Sequence, residues 1–236
     1  MSGISIAKSL ELTLLGPLTT PADVRAGCAL AVDSHLAAVC VWPSHVTTAA
    51  QVLAGTTTRL CAAIAFPYGH DTVETKLFAI DRAIGDGAGE LAVLLDQSLL
   101  IGADIDGALR EIDRVCSRTS ISQLHTTRGR SDVTFVVETT LLDCERLTPV
   151  WQAMGDGPVG FLQTSSGAQP RAVTVDHVRT LRELLPGDVA IKAVGGIHSL
   201  ADASSLLTSG AVRVGAASAV AIVQQEQRER QADAPT

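Results

Sequence analysis

A chain of 236 residues is long enough for one large domain with a sizeable core, and 46% hydrophobic against 18% charged residues excludes a disordered polymer. A net charge of −7 and an aromatic content of 3% argue against nucleic acid as a partner, because neither a basic surface nor stacking platforms are supplied. No run approaches the roughly 18 uninterrupted apolar residues of a membrane span, the first ten residues lack a signal-peptide pattern, and five scattered cysteines, odd in number, argue against a disulfide framework and for a reducing, cytoplasmic setting.

Short apolar runs alternate with longer amphipathic ones along the whole chain. Strands are expected at Glu11–Leu15, Leu36–Trp42, Leu60–Phe66, Glu90–Leu95, Val133–Glu138, Val159–Gln163, Val189–Val194 and Val212–Gly215. Eight helices fall between and after them. Thr20, Pro21 and Asp23 open the first, Pro43 and Ser44 precede the second, and Asp71 precedes the third. Asp104 begins the fourth, Asp143 the fifth and Thr174 the sixth; Ser199 with Asp202 forms a capping-box start for the seventh, and the eighth runs from about Ala217 to Gln227. The segment Thr119–Asp132 has no clear periodicity and is expected on the bottom face, and the residues from about 225 to 236 read as a polar tail that frays.

Strict alternation of strand and helix implies parallel strands joined by right-handed crossovers. Eight such units in this length define an α/β fold of the (β/α)8 TIM barrel type, a single domain over residues 1–236. An open doubly wound sheet is the alternative, but no glycine-rich dinucleotide fingerprint follows the first strand, and no cofactor is expected.

In such a barrel the chemistry lies at the C-terminal ends of the strands. Only three lysines, Lys8, Lys76 and Lys192, stand beside 15 arginines, and Lys192 sits inside the apolar run VAIKAVGGI. A lysine there either snorkels, pairs with a carboxylate or loses its proton to desolvation. Pointing inward, it can act as base, electrostatic stabiliser or imine former; pointing outward, between barrel and helices, it is structural. Gly195 and Gly196 follow directly, and Gly215 leads to Ser218 at the start of the last helix, so the loops after strands seven and eight offer an anion cradle. The six histidines form no metal-binding spacing, and no metal is expected. His70 and His198 lie in top-face loops and His45 just beyond one, whereas His35, His177 and, in the bottom loop, His125 suit capping or solvated roles.

The order of motifs ELTLLGP, AAVCVWPSHV, AIAFPYGHDTVETKLFAIDRAI, VVETTLL, FLQTSSG, IKAVGGI and RVGAASA resembles that of the deoxyribose-phosphate aldolase family from Leu10 to about Ile222. The resemblance implies a barrel that cleaves 2-deoxyribose 5-phosphate to acetaldehyde and glyceraldehyde 3-phosphate through an imine on the lysine of a KTSTG-like motif. Gln163 stands at the position of that lysine, and Ala92 matches the family's catalytic aspartate. The family's second active-site lysine is matched by Lys192. Ser166, Gly167, Gly195, Gly196 and Ser218 match its phosphate cup, in which Ala217 replaces a serine and no basic residue follows Gly167.

The resemblance therefore implies a lyase-family enzyme for a small carbonyl substrate, an aldehyde or a phosphorylated compound, with repurposed cleavage, condensation, isomerisation or cyclisation chemistry centred on Lys192. Glu11, Glu138 or Asp96 would supply the carboxylate, and Thr13, Cys40 and Gln163 would line the substrate together with the cup. The alternative is a non-catalytic homologue that binds a ligand or regulates a partner enzyme. A thiol mechanism through Cys40 and an unrelated phosphate-binding barrel are weaker readings, and a homodimer is compatible with either main one.

Overall fold

The computed structural model describes residues 5–121, 133–157 and 159–232. His125 and residues 122–132 of the expected bottom-face segment lie outside the described residues. Eight parallel strands close into one barrel in sequence order: β1 (Leu10–Leu14), β2 (Ala38–Val41), β3 (Arg59–Ile64), β4 (Glu90–Leu94), β5 (Val133–Val136), β6 (Val159–Gln163), β7 (Ala190–Val194) and β8 (Ala211–Ala216). The last strand pairs with the first, Glu11 lying opposite Gly215, so the sheet has no edge.

Nine α-helices are present among the described residues: α1 (Pro21–Asp33), α2 (Val46–Leu53), α3 (Val73–Gly85), α4 (Gln97–Gly102), α5 (Ile105–Ile121), α6 (Thr148–Ala153), α7 (Val175–Leu184), α8 (Leu200–Thr208) and α9 (Ala219–Ala232). The expected caps of α1 and α8 are full capping boxes, Thr20 with Asp23 and Ser199 with Asp202. Thr174 caps α7 with His177 as its reciprocal partner, which gives that histidine its capping role.

Four expectations need correction. The cap of α3 is Thr72 and not Asp71, because Thr72 is the residue whose hydroxyl reaches the exposed amide of Thr75. The short α4, capped by Asp96, was not foreseen, since six residues are too few to show a period. The stretch from Asp143 runs through turns and becomes α-helical only at Thr148, where Pro149 sits at the helix start. Finally, the polar end does not begin to fray at 225, because α9 continues to Ala232. Buried Glu226 explains this, since it accepts bonds from the Ser5 hydroxyl at 2.7 Å and the Ile6 amide at 3.2 Å and ties the helix to the chain start.

Alternation along the strands divides the core into two layers. Leu10, Leu12, Val39, Val41, Ile64, Val93, Phe135, Ile191 and Val214 face outward and pack under the helices. Inside lies a smaller apolar cluster of Cys40, Cys61, Ala63, Ala92, Leu94 and Val136. The same inward parity carries Glu11, Glu90, Lys192 and Arg213, so the barrel axis holds buried charge.

Candidate active site

Arg213, near the start of β8, lies with its guanidinium 4.8 Å from the centre of the Phe161 ring and binds both oxygens of Glu90, with one contact at 3.1 Å. Its other reach, 3.5 Å, is to Glu11, and Arg59 pairs with Glu90 at 2.5 Å. Above this, Lys192 ion-pairs with Glu11, and neither residue is exposed. Lys192, Arg213 and, at the edge, Arg59 thus face the carboxylates of Glu11 and Glu90, and each buried carboxylate has a cationic partner, as buried charge requires. Burial by itself pulls the Lys192 ammonium toward deprotonation, but the Glu11 carboxylate outweighs it and raises the pKa above the ordinary lysine value. Of the forms open to this lysine from sequence, the structure selects the inward, paired and charged one. Glu90 behaves conversely: burial pushes its pKa up, Arg213 and then Arg59 pull it down, and the result is lowered.

Gly215 makes this pairing possible. It lies opposite Glu11 on β1 and Val194 on β7, so Lys192 must pass beneath it to reach Glu11. A Cβ at this position would stand 2.8 Å from Val194 and 3.6 Å from both the Glu11 carboxylate and the Lys192 side chain.

Glu138, just beyond β5, does not pair with the lysine. It accepts the Ser165 hydroxyl at 2.8 Å, the Ser166 amide at 2.9 Å and the Ser166 hydroxyl, so its carboxylate holds the loop after β6. Gln163 lies opposite Lys192 in register and turns its amide onto the Ser165 carbonyl at 2.7 Å. Asp96 does not supply the carboxylate either. β4 ends at Leu94, so strand alternation no longer carries Asp96 inward, and it caps α4 through the Ser98 amide and hydroxyl while touching His70 at 3.2 Å. Cys40 is buried in the inner apolar layer next to Cys61. The Cys61 thiol is raised well above its ordinary pKa by its bond with Cys40 and by burial, which disfavours a thiolate there.

Above the ion pair, Thr13, Gly167, Gly195, Gly196, His198 and Ser218 line a cavity of about 240 Å³. Gly196 has φ +71, and a Cβ on it would fall 2.4 Å from that of Ala172, so only glycine fits this turn. Ser218 donates its hydroxyl to the Ile197 carbonyl at 2.9 Å and stitches the two cradle loops together. Thr13, Gly167, Gly195, Gly196 and Ser218 are thus brought to one cavity, while Lys192, Glu11 and Gln163 lie below it and Ser166 is turned toward Glu138.

Sequence reading had missed Arg213 and Glu90. Their signal was present, since Arg213 shares the parity of Gly215 in VRVGA and Glu90 that of Ala92 in ELAV.

The (β/α)8 barrel with an interior lysine on its seventh strand, under glycine loops after the seventh and eighth, is the arrangement that the motif resemblance implies for an aldolase. No protein-family model matches the chain. Among individual proteins, the chain is 32% identical over 222 residues to a deoxyribose-phosphate aldolase of Thermoanaerobacter sp. strain X514, covering 94% of this chain and 97% of that one. It is 35% identical over 219 residues to the enzyme of the same name from Thermosynechococcus vestitus, covering 93% and 96%. The fold matches QR15, an aldolase, with a TM-score of 0.87 at 24% identity over 98% and 100% of the two chains. It also matches the deoxyribose phosphate aldolase of Aeropyrum pernix, described as a unique tetramer, with a TM-score of 0.80 at 25% identity over 94% and 91%. The chain belongs to the deoxyribose-phosphate aldolase family. No helix among the described residues is long and apolar enough to cross a membrane.

Proposed function

We propose that this barrel is a diverged aldolase-family enzyme that acts on a small phosphorylated carbonyl compound without forming an imine at position 163. The observation that carries the reading is the Lys192–Glu11 pair directly beneath the glycine-lined cavity, with Gly215 bordering both. Gln163 and Ala92 stand where the family resemblance puts the imine lysine and the catalytic aspartate, and an amide and a methyl group can do neither task. In this reading the phosphoryl group sits against the backbone of the loops at Gly195, Gly196 and Ser218. Lys192, held as an ammonium, stabilises negative charge developing on the carbonyl oxygen, and Glu11 exchanges the proton. Chemistry of that kind serves enolisation, isomerisation or carbon–carbon cleavage alike.

A second reading, a ligand-binding barrel without turnover, is favoured by one observation: Lys192 has no exposed surface and borders neither cavity at the mouth. The two separate in one experiment. A panel of phosphorylated and free short-chain aldehydes and ketones is followed by NMR for conversion and by melting temperature for binding. Conversion that is lost in Lys192→Met and in Lys192→Met/Glu11→Gln supports the enzyme. A thermal shift without conversion supports the binding barrel, and a borohydride-trapped adduct on Lys192 would overturn the charged-amine mechanism in favour of an imine.

A further inference from the structure

A second cavity, of about 540 Å³, opens at the mouth beside the glycine-lined one and shares Thr13, Gly167 and Ala217 with it. Its remaining walls are apolar: Leu15 and Pro17 after β1, Trp42 after β2, and Phe66 and Pro67 after β3. Trp42 and Phe66 meet edge to face with ring centres 5.1 Å apart, an arrangement that fixes both rings as a wall. The indole N–H, the one polar side-chain group of those two rings, is already given to the Gly16 carbonyl at 3.2 Å. Among the described residues that line this space, no side chain carries a charge, and the Thr13 hydroxyl stands at the boundary with the other cavity.

From this we infer the substrate class: the ligand is amphiphilic, with a phosphoryl group in the glycine-lined cavity and an aryl or branched alkyl group against Trp42 and Phe66, its carbonyl near Thr13. The inference rests on the phosphorylated-carbonyl reading above and adds the apolar half. A polyhydroxylated chain in the larger cavity would lose its water and find few partners for its hydroxyls, which is unfavourable for each group left unpaired. An apolar group gains by leaving water there and leaves no polar wall group unsatisfied. Specificity of this kind works against sugars as much as for apolar chains.

The test compares binding of inorganic phosphate, dihydroxyacetone phosphate, phenacyl phosphate and acetophenone to the intact protein. Calorimetry supplies affinities and Trp42 emission reports occupancy of the apolar cavity, since the other tryptophan, Trp151, is buried on α6. Phenacyl phosphate is expected to bind roughly tenfold tighter, or more, than dihydroxyacetone phosphate and to change the emission. Leu15→Ser and Phe66→Ser, made separately so that one misfolded variant does not decide the matter, should each erode that preference while inorganic phosphate binds as before. Equal affinity for the two ketone phosphates, or tighter binding of the polar one, overturns the inference and leaves the phosphate reading intact. Failure of all three phosphates to bind overturns the phosphate reading; an emission change with acetophenone then still supports the apolar cavity, and silence there removes it too.

Discussion

Lys192 is kept charged in the barrel by Glu11, and the balance is easily tipped from either side. Removing one partner of a buried pair leaves an uncompensated charge and typically costs about 3–5 kcal/mol. Glu11→Gln should therefore destabilise the fold by about that amount in urea titrations, and more than the paired replacement Lys192→Met/Glu11→Leu. The pH dependence follows from the same contacts. A lysine pKa raised in the folded state contributes stability that is complete below about 10.4, the unfolded value, and is lost as pH climbs toward the folded one. Glu90, lowered in the fold, contributes above about 4.3 and loses that contribution as pH falls through its folded pKa. Chemical denaturation across pH should show both flanks, with the alkaline one shallower in the double variant. At the same scale, Gln163→Lys alone should give little deoxyribose-phosphate cleavage. Adding Ala92→Asp should raise the rate roughly 100-fold or more over the single variant, because a placed proton donor typically contributes that much; a single variant as fast as the double would refute the missing-carboxylate argument.

At the scale of elements, the loop after β6 is held by a buried acceptor from the neighbouring strand as well as by its own residues. Glu138 takes the Ser165 and Ser166 hydroxyls and the Ser166 amide, so Glu138→Leu strands donors that cost about 1–3 kcal/mol each when left unpaired. The expected result is a lower melting temperature with faster amide exchange at Ser166 and Gly167, next to the glycine-lined cavity. Uniform exchange rates across the loop in wild type and variant would argue that Glu138 does not hold it. Gly196→Ala should perturb the same region from the other side, because a side chain there meets Ala172 and needs a positive φ. Anion affinity should fall in it, together with about 1–3 kcal/mol of stability for the strained backbone. These loop arrangements were only half visible beforehand: the glycines announced a turn, but Glu138 read as a free carboxylate at a strand end, and its serine partners follow a different strand.

Across the whole molecule, a second buried pair ties the outer layer to the barrel. Lys76 on α3 donates to the Leu94 carbonyl at 2.8 Å and pairs with Glu111 on α5, which in turn accepts the Asp96 amide at 3.0 Å. One lysine thus joins two helices to the end of β4, next to Asp96, which in turn contacts His70 from the loop after β3. Lys76→Met should lower stability by about 3–5 kcal/mol, which at this chain length means a melting temperature lower by very roughly 6–20 °C. Lys76→Met/Glu111→Leu should recover part of it, and a melting temperature unchanged in the single variant would show that the pair is dispensable.

The sequence by itself determined the barrel, its strand order and most helix starts, because strand alternation and capping residues are local chemistry that neighbours along the chain already express. What only the tertiary structure decided was that Lys192 points inward and which carboxylate serves it. Glu11, Glu138 and Asp96 all stand at or near strand ends, and separation along the chain says nothing about distance across a closed sheet. Closure brings β1 beside β8, the missing side chain of Gly215 opens the way from β7, and Glu11 becomes the partner, while Glu138 is taken by two serines and Asp96 by a helix start. The low exposure of Lys192 follows from the same closure, which leaves neither the lysine nor Glu11 any accessible surface.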